Sequence, residues 1–300
     1  MTYFSYRSSL VSSNTKKRFE VENIDLCHYE KVSTKHKKSG KLKEIERLII
    51  CLNSIHYIAD VKYDVLVIDE IETLLDKFLG DFLEQGKLQL KSTVWNTFVN
   101  LFRNAKKVIL LDAFITTKTV NFINSLEKNI SYKIYERIFE PQKRTIKYMD
   151  DDKAMLHDII EKIRNGQKLF IFYPYKKQSN NFMSMESMNN VIEMSTGKKG
   201  IFYNADVDDT IKSGLKDVNT SWEGKDYVIT NNIITCGVNY ENLDFDYTYI
   251  FIASHNTPRD IIQVSYRTRH LNSGIIKNAV NIGLNWTLWI DVIISINTIQ

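Results

Sequence analysis

The sequence predicts an α/β protein with mainly parallel sheets. Five short segments are apolar on consecutive residues and rich in Val, Ile and Phe, which is typical of strands covered on both faces: Val65–Ile68, Val108–Leu111, Leu169–Phe172, Tyr227–Ile229 and Tyr249–Ile252. Segments with helical periodicity separate several of these strands: Ile71–Phe82, Val94–Phe102, Thr119–Leu126 and Ala154–Ile163. Such alternation of strands and helices favours parallel sheets joined by crossover helices.

Length and proline placement predict two domains. A chain of 300 residues is long enough for about two hydrophobic cores. The Glu140-Pro141-Gln142 segment lies between two series of strands and helices and holds one of only three prolines. We therefore expect one domain over residues 1–140 and a second over 141–300.

Composition excludes several classes of protein. The net charge of +4 is too small to indicate an anionic partner by itself. Three cysteines without a C-x-x-C pair argue against a disulfide scaffold or zinc ribbon and favour a reducing, intracellular compartment. The apolar segment 279–300 contains Asp291 and several asparagines, which are costly in lipid. We expect a buried or irregular end there and no membrane partner.

Carboxylates follow two of the predicted strands. Asp69 and Glu70 come directly after the first strand, and Asp112 follows the second. Ligands of open α/β sheets bind at the carboxyl ends of strands. An acidic pair there is typical of a carboxylate that holds Mg²⁺ and a second that orients a nucleophile. A helix N-terminus is the alternative, since its dipole favours acidic residues such as Glu72. Spacing alone does not decide between these two explanations.

Seven segments occur in an ordered series: "YFSYRSSL" (3–10), "LIICLNSIHYI" (48–58), "VIDEIETLL" (67–75), "VILLDAFIT" (108–116), "KLFIFYPYKKQS" (168–179), "SWEGKDYVITNNIITCGVNYE" (221–241) and "RDIIQVSYRTRHL" (259–271). This series resembles motif Ia, a second DNA-facing segment and motifs II to VI of the superfamily 2 helicase core. It is most similar to the viral origin-of-replication binding protein family, which shares the D-E-x-E form of motif II. The resemblance implies two RecA-like domains, the first N-terminally truncated, and a divergent tail after about residue 271.

The resemblance implies a role for each matching residue. ATP and Mg²⁺ are the expected cofactors, with Asp69 holding the metal and Glu70 orienting water. Three residues would meet the transferred phosphoryl group: Gln263, Arg267 and Arg269. Arg267 resembles an arginine finger that acts across the interdomain cleft. The nucleotide-binding set is Asp69, Glu70, Gly237 and Arg267, the coupling set is Asp112 and Thr116, and the nucleic-acid-binding set is Ser5, Arg7, Ser8, Ser54, His56 and Thr235.

The motif VI segment also yields a geometric prediction. On a helix, Gln263 and Arg267 would share one face while Arg269 points elsewhere. Two positions depart from the family pattern. Tyr266 stands where relatives usually have Gly, and Asn239 stands where many carry an acidic residue.

The phosphate-binding loop G-x-x-x-x-G-K-[ST] is absent from the 300 residues. The nearest approach, "GDFLEQGKL" (80–88), has one residue too many between its glycines and ends in Leu. We therefore expect a motor truncated at its N-terminus, with two classes of partner. One is DNA, single-stranded, forked or origin duplex; the other is the missing N-terminal segment or a replication complex. Three functions stay open: a viral replication helicase, a non-hydrolysing nucleic-acid-binding remnant, and an unrelated α/β enzyme acting on a small phosphorylated substrate. Viral replication leaves nucleus and cytoplasm equally open as its location.

Overall fold

The structure, a computed structural model, describes residues 1–5, 19–33, 40–79, 88–126, 130–136, 143–149, 151–178, 182–204, 206–234 and 238–280. The chain forms two compact units, Met1–Arg137 and Ile138–Gln300. The predicted domain bounds, 1–140 and 141–300, stay a prediction. Across these described ranges, no helix has the length and apolar character needed to cross a bilayer.

The first unit is built on a five-stranded parallel sheet in the order β2-β3-β1-β4-β5. Its strands are β1 (Thr2–Ser5), β2 (Cys27–His28), β3 (Leu48–Cys51), β4 (Val65–Asp69) and β5 (Lys107–Leu111). Its α-helices are α1 (Ile71–Leu79), α2 (Leu88–Asn104) and α3 (Thr117–Leu126), and three 3₁₀ helices cover Tyr29–Lys31, Lys41–Glu44 and Leu52–Ile58. Parallel pairing brings the carboxyl ends of all five strands to one edge of the sheet.

Aromatic rings from the three α-helices form the centre of the first unit's core. The Phe98 ring lies 5.2 Å from Phe78 and 5.7 Å from Phe122, and the Phe78 ring meets Trp95 edge-on at 4.8 Å. Each buried ring of this size contributes about 1.5–3 kcal/mol through removal of apolar surface from water. The core therefore fixes α1 and α3 against each other, and with them the segments that follow β4 and β5.

The second unit is built on a six-stranded parallel sheet in the order β6-β11-β10-β7-β9-β8. Its strands are β6 (Thr145–Met149), β7 (Leu169–Phe172), β8 (Ile201–Tyr203), β9 (Tyr227–Thr230), β10 (Tyr247–Ile252) and β11 (Ile275–Val280). Its α-helices are α4 (Asp152–Arg164), α5 (Met185–Thr196), α6 (Asp209–Ser213), α7 (Val218–Ser221) and α8 (Pro258–Ser265). Strands β7 and β9 are fully buried, as their continuous apolar runs predict.

A charged cluster ties α4 to the sheet of the second unit. Asp158 on α4 accepts hydrogen bonds from the Tyr249 hydroxyl at 2.6 Å and from the Lys277 ammonium. Burial raises the pKa of Asp158, but the hydrogen bonds from Lys277 and Tyr249 outweigh it, so that the pKa lies below its ordinary value. Asp158 is therefore held as a carboxylate by side chains from two neighbouring strands, β10 and β11.

The predicted fold class is confirmed, and the five predicted strands all occur. The predicted helices correspond to α1 to α4, although α2 begins six residues before the predicted Val94. The end of the predicted helix Ile71–Phe82, residues 80–82, lies outside the described residues.

Candidate functional site

The acidic pair lies where β4 turns sharply into α1. Asp69 is the last residue of β4, and Glu70 has a φ of 56°, in the left-handed region that side chains with a Cβ rarely adopt. The Glu70 carbonyl accepts from the Leu74 N–H at 3.0 Å, and its carboxylate accepts from the Thr73 hydroxyl at 3.3 Å. The strained residue thus ends the strand and starts the helix in one step. Such strain is concentrated at functional sites.

Asp69 is hydrogen-bonded to a tyrosine of the neighbouring strand. The Tyr3 hydroxyl, on β1, donates to Asp69 Oδ2 at 2.6 Å, and Tyr3 is itself buried. Burial raises the pKa of Asp69; the Tyr3 hydrogen bond opposes this, and the nearby charges of Glu70 and Asp112 add to it. Asp69 is therefore repelled by two neighbouring carboxylates, Glu70 and Asp112, at the carboxyl ends of β4 and β5.

Asp69 is the candidate ligand of a hard divalent cation at this turn. Carboxylate oxygens are the ligands that Mg²⁺ prefers, and a cation would offset the burial and the charge repulsion that together raise the pKa of Asp69. Among the described residues, no group of three or more His, Cys, Asp or Glu side chains is arranged to hold a metal ion. Asp69 would therefore supply one or two ligands, with water and phosphate oxygens as the others, as is usual for Mg²⁺ beside a nucleotide.

Glu72 links the acidic turn to the segment after β5. Its side chain is only 2% exposed. Its carboxylate accepts from the Thr116 N–H at 2.7 Å, the Thr116 hydroxyl at 2.9 Å and the Thr119 hydroxyl at 2.6 Å, and it pairs with the Lys118 ammonium at 3.2 Å. Burial raises the pKa of Glu72, but these hydrogen bonds together lower it below its ordinary value. Glu72 is thus a buried, fully bonded carboxylate.

Asp112 makes a second link between the same two segments. Asp112 Oδ2 accepts from the Glu72 N–H at 3.0 Å, and Oδ1 accepts from the Phe114 N–H at 2.8 Å. The predicted coupling residues Asp112 and Thr116 are therefore both bonded to Glu72. Sequence reasoning placed Glu72 only at a helix N-terminus, although it is the last residue of the D-E-x-E pattern and could have been found from it.

The predicted nucleic-acid-binding residues fall partly outside the described residues. Arg7, Ser8 and Thr235 lie outside the described residues, and so does Gly237 of the nucleotide-binding set. Ser5 ends β1, at the same edge of the sheet as Asp69.

Ser54 and His56 lie on the 3₁₀ helix Leu52–Ile58. The Ser54 hydroxyl accepts from the Cys51 thiol at 3.6 Å, and the His56 ring lies 4.1 Å from that of Tyr57. Burial lowers the pKa of His56, which favours its neutral form. This helix begins directly after β3 ends. Ser54 and His56 therefore lie in a segment that starts at the carboxyl edge of the sheet, the edge that also carries Asp69.

In the second unit, the predicted helical arrangement of the motif VI residues is wrong. Helix α8 ends at Ser265, and Tyr266 caps it, so Arg267 lies beyond the helix and shares no helical face with Gln263. The Arg267 guanidinium donates to the Val238 carbonyl and to Asn239 Oδ1, both at 3.2 Å. Arg269 donates to the same Asn239 oxygen at 3.0 Å and therefore does not point elsewhere.

The backbone explains why the two arginines meet. The Tyr240 N–H donates to the Arg267 carbonyl and the Arg269 N–H donates to the Tyr240 carbonyl, each at 2.8 Å, so that residues 267–269 form a short parallel bridge with Tyr240. Alternate residues of an extended segment lie on the same side. Asn239 is thus the common acceptor of two guanidinium groups.

The two arginines differ in exposure. Arg267 is 8% exposed, whereas Arg269 is exposed to solvent. Gln263, on α8, is half-buried. Arg267 therefore stands as a bonded, buried cation within the second unit, and Arg269 presents the more accessible charge.

Comparison with known proteins agrees with this arrangement. Residues 5–136 match the model of a family described as "Origin of replication binding protein". Over 225 residues, the chain is 22% identical to the "Replication origin-binding protein" of Human herpesvirus 6B (strain Z29), covering 73% of this chain and 27% of that protein. This chain is similar to the viral origin-binding proteins.

A second relative and a solved structure extend the comparison. The chain is 26% identical over 219 residues to "Uncharacterized putative helicase R8" of Acanthamoeba polyphaga mimivirus, covering 70% of this chain and 20% of that protein. The structure of S. cerevisiae Dbp5 bound to RNA and ADP BeF3 superposes with a TM-score of 0.65 at 14% identity, covering 98% of this chain and 74% of that one. The predicted fold of two RecA-like α/β domains is therefore confirmed, and so is the predicted sequence similarity to viral origin-binding proteins. The chain spans only 20% and 27% of the two viral relatives.

Proposed function

We propose that this chain is the motor part of a viral DNA replication helicase of the origin-binding type, which couples ATP hydrolysis to movement on DNA in its complete form. The observation that carries the proposal is the link from the acidic turn Asp69-Glu70 through Glu72 to Thr116. That link joins a candidate hydrolytic pair to a neighbouring segment by buried bonds, as coupling requires. The similarity to viral origin-binding proteins supports DNA as the partner.

The roles of the residues in the first unit follow from their chemistry. Asp69 would hold Mg²⁺, oriented by the Tyr3 hydroxyl. When bound, Mg²⁺ would neutralise negative charge on the phosphate oxygens and orient them. Glu70, at the carboxyl edge of the sheet, would accept a hydrogen bond from the attacking water. Its left-handed backbone fixes the direction in which the carboxylate leaves the sheet.

The second unit would supply positive charge. Hydrolysis of a triphosphate spreads negative charge over the transferred phosphoryl group, and guanidinium groups stabilise that charge. Arg267 and Arg269 are candidates, and Asn239 holds both without neutralising either. Gln263 is proposed as a third contact, and Gly237 as a backbone contact to the nucleotide.

DNA contacts are proposed at the carboxyl edge of the first sheet and in motif V. Ser5, Arg7, Ser8, Ser54, His56 and Thr235 form this proposed set. We place the protein at the viral replication site, in nucleus or cytoplasm, working with a replication complex or with a segment that carries the phosphate-binding loop.

A non-hydrolysing nucleic-acid-binding role is the second candidate. The printed sequence contains no G-x-x-x-x-G-K-[ST] loop, and that loop supplies the N–H groups and Lys that hold the β and γ phosphates. A chain that works without such a loop would bind DNA and leave ATP intact. A small-substrate α/β enzyme, the third candidate, would show no DNA binding whose affinity falls linearly with the logarithm of salt concentration.

The deciding experiment measures DNA-stimulated ATP hydrolysis of the natural full-length gene product and of its Glu70→Gln variant. We expect the variant to lose hydrolysis by about 10²-fold or more, because water is no longer oriented, and to keep its affinity for single-stranded DNA. Glu44→Gln is the matched control, since Glu44 is an exposed glutamate of the same unit. Retained hydrolysis in Glu70→Gln would remove Glu70 from the mechanism. DNA binding without hydrolysis in the unsubstituted protein would favour the second candidate.

A further inference from the structure

The arginine-bearing segment after α8 is held by a residue that the motif comparison does not include. A helix end leaves its last carbonyls without partners inside the helix. At the end of α8, the guanidinium of Arg144 donates to the carbonyls of Ser265 and Thr268, and to the carbonyl of Arg269 at 3.1 Å. One side chain thus bonds three carbonyls, two of which lie within residues 267–269.

Tyr266 completes this arrangement. The Arg144 guanidinium carbon lies 4.6 Å from the centre of the Tyr266 ring, a distance at which a cation is attracted to an aromatic face. The Tyr266 ring thus gives the Arg144 guanidinium a surface to stack on. Burial lowers the pKa of Arg144, and the Arg269 charge adds to this, yet the residue remains a cation in its carbonyl cage.

The backbone of Arg144 is itself anchored to the sheet. Arg144 directly precedes β6, and the next residue, Thr145, donates its N–H to the Gly274 carbonyl at 2.8 Å. Strand β6 then pairs with β11 over five residues. Arg144 therefore projects from a fixed point at the edge of the sheet.

We propose that Arg144 is the positioning residue for the Arg267–Arg269 pair. By clamping the carbonyls on both sides of Arg267, Arg144 sets the direction in which both guanidinium groups leave the backbone and reach Asn239. We call the contacts of Arg144 with the Ser265, Thr268 and Arg269 carbonyls the clamp. The functional meaning of this clamp rests on the proposed role of the two arginines in phosphoryl transfer. Since Arg144 directly precedes β6, the clamp also links the arginine pair to the first described strand of the second unit.

Lysine is a poor substitute at this position. The guanidinium has five N–H donors in a flat fork and can stack on a ring, whereas an ammonium is a point charge with three donors. An Arg144→Lys variant keeps the charge and most of the stem but is unable to reach three carbonyls and cover Tyr266 at once. The geometry therefore predicts that charge alone does not preserve the clamp.

The experiment uses the 300-residue chain and two readouts. The first is amide hydrogen exchange of residues 238–240 and 265–269. We expect Arg144→Gln and Arg144→Lys to accelerate exchange of Tyr240 and Arg269 by about tenfold or more, since a hydrogen bond to a charged group is worth roughly that factor in a local opening equilibrium. Peptides of α4 should exchange as in the unsubstituted chain.

The second readout is the ¹⁵Nε–¹Hε NMR signals of Arg267 and Arg269. Both should shift in the Arg144 variants, toward their positions in Asn239→Ala. A merely structural Arg144 would lower the melting temperature and leave these signals in place. Lys143→Gln, which removes the neighbouring exposed charge, is the matched control and should change neither readout. If Arg144→Gln fails to fold, Arg144→Lys carries the test.

Two outcomes overturn the proposal: unshifted arginine signals in a folded Arg144 variant, or an Arg144→Lys variant that matches the unsubstituted chain in both readouts. Titration calorimetry of AMP-PNP binding in the presence of Mg²⁺ separates this proposal from the proposed function. Equal weakening by Arg144→Gln and Arg267→Gln, with no further loss in the double variant, supports both. A chain that binds no AMP-PNP while the exchange and NMR results hold contradicts nucleotide use by the chain and supports the clamp.

Discussion

Replacing Glu72 tests whether its buried carboxylate holds the acidic turn and the segment after β5 together. In Glu72→Gln, an amide NH₂ group replaces one carboxylate oxygen. In place of Oε2 it would face the Thr116 hydroxyl and the Lys118 ammonium, and in place of Oε1 it would face the Thr116 N–H and the Thr119 hydroxyl, so that in either orientation a donor meets donors. Loss of a bond to a charged group in a buried site costs about 2–3 kcal/mol. For a unit of this size, that lowers the melting temperature by about 6–10 °C.

Asp76→Asn is the matched control, because it removes another carboxylate from the same lysine. Asp76 lies on α1 and pairs with Lys118 at 2.6 Å, but its side chain is 51% exposed. Exposed pairs contribute about 0–1 kcal/mol, so we expect a shift of no more than about 3 °C. Thermal unfolding followed by circular dichroism measures both variants. If Asp76→Asn lowers the melting temperature as much as Glu72→Gln does, burial is not what makes the Glu72 network strong.

Three further predictions concern the second unit, the last with its own control substitution. Asn239→Asp should raise the free energy of unfolding by about 1 kcal/mol, because two guanidinium groups then donate to a charged acceptor. The denaturant midpoint should rise accordingly, and a lower midpoint would contradict the shared-acceptor geometry. Asp158→Asn should destabilise the protein at pH 7. The pKa of Asp158 is lowered in the folded state, so the ionised carboxylate contributes to stability above its ordinary pKa of 3.8. That contribution is lost as the pH falls from 3.8 through the lowered pKa. The gap in melting temperature from the unsubstituted protein should therefore close below about pH 3.8, and a gap that widens there would refute the assignment. Gly200→Ala should cost about 1–3 kcal/mol, since a Cβ there would lie 2.2 Å from the Tyr227 ring. Gly224 has a φ of 70° but open space for a Cβ, so Gly224→Ala should lower the free energy of unfolding by only about 1 kcal/mol in a urea titration. Equal losses of stability in the two variants would argue against the ring contact.

The sheets could be predicted from the sequence because buried parallel strands leave a local signal. Runs such as Leu169–Phe172 and Tyr227–Ile229 are apolar on consecutive residues, and few other environments tolerate that pattern. The acidic turn after β4 was predicted for the same reason, since polar residues there interrupt a buried run. The left-handed conformation of Glu70 was not, because no glycine or asparagine marks it.

The contacts around the motif VI arginines depend on distant parts of the chain. Helical spacing predicts that the helix continues through Arg267, yet it ends at Ser265, and the residues that follow pair with Tyr240 instead. Such tertiary pairing overrides local helical spacing and leaves no local pattern. Arg144 lies more than 120 residues from the carbonyls that it bonds, so the sequence around it carries no sign of its role.

The placement of β1 makes the first sheet depend on a very short segment. Thr2–Ser5 is the middle strand, with four register pairs to β3 and three to β4. Displacing these four residues would split the sheet into two halves with unpaired inner edges. It would also remove the Tyr3 hydroxyl from Asp69, so that damage to one short strand reaches both the architecture and the acidic turn.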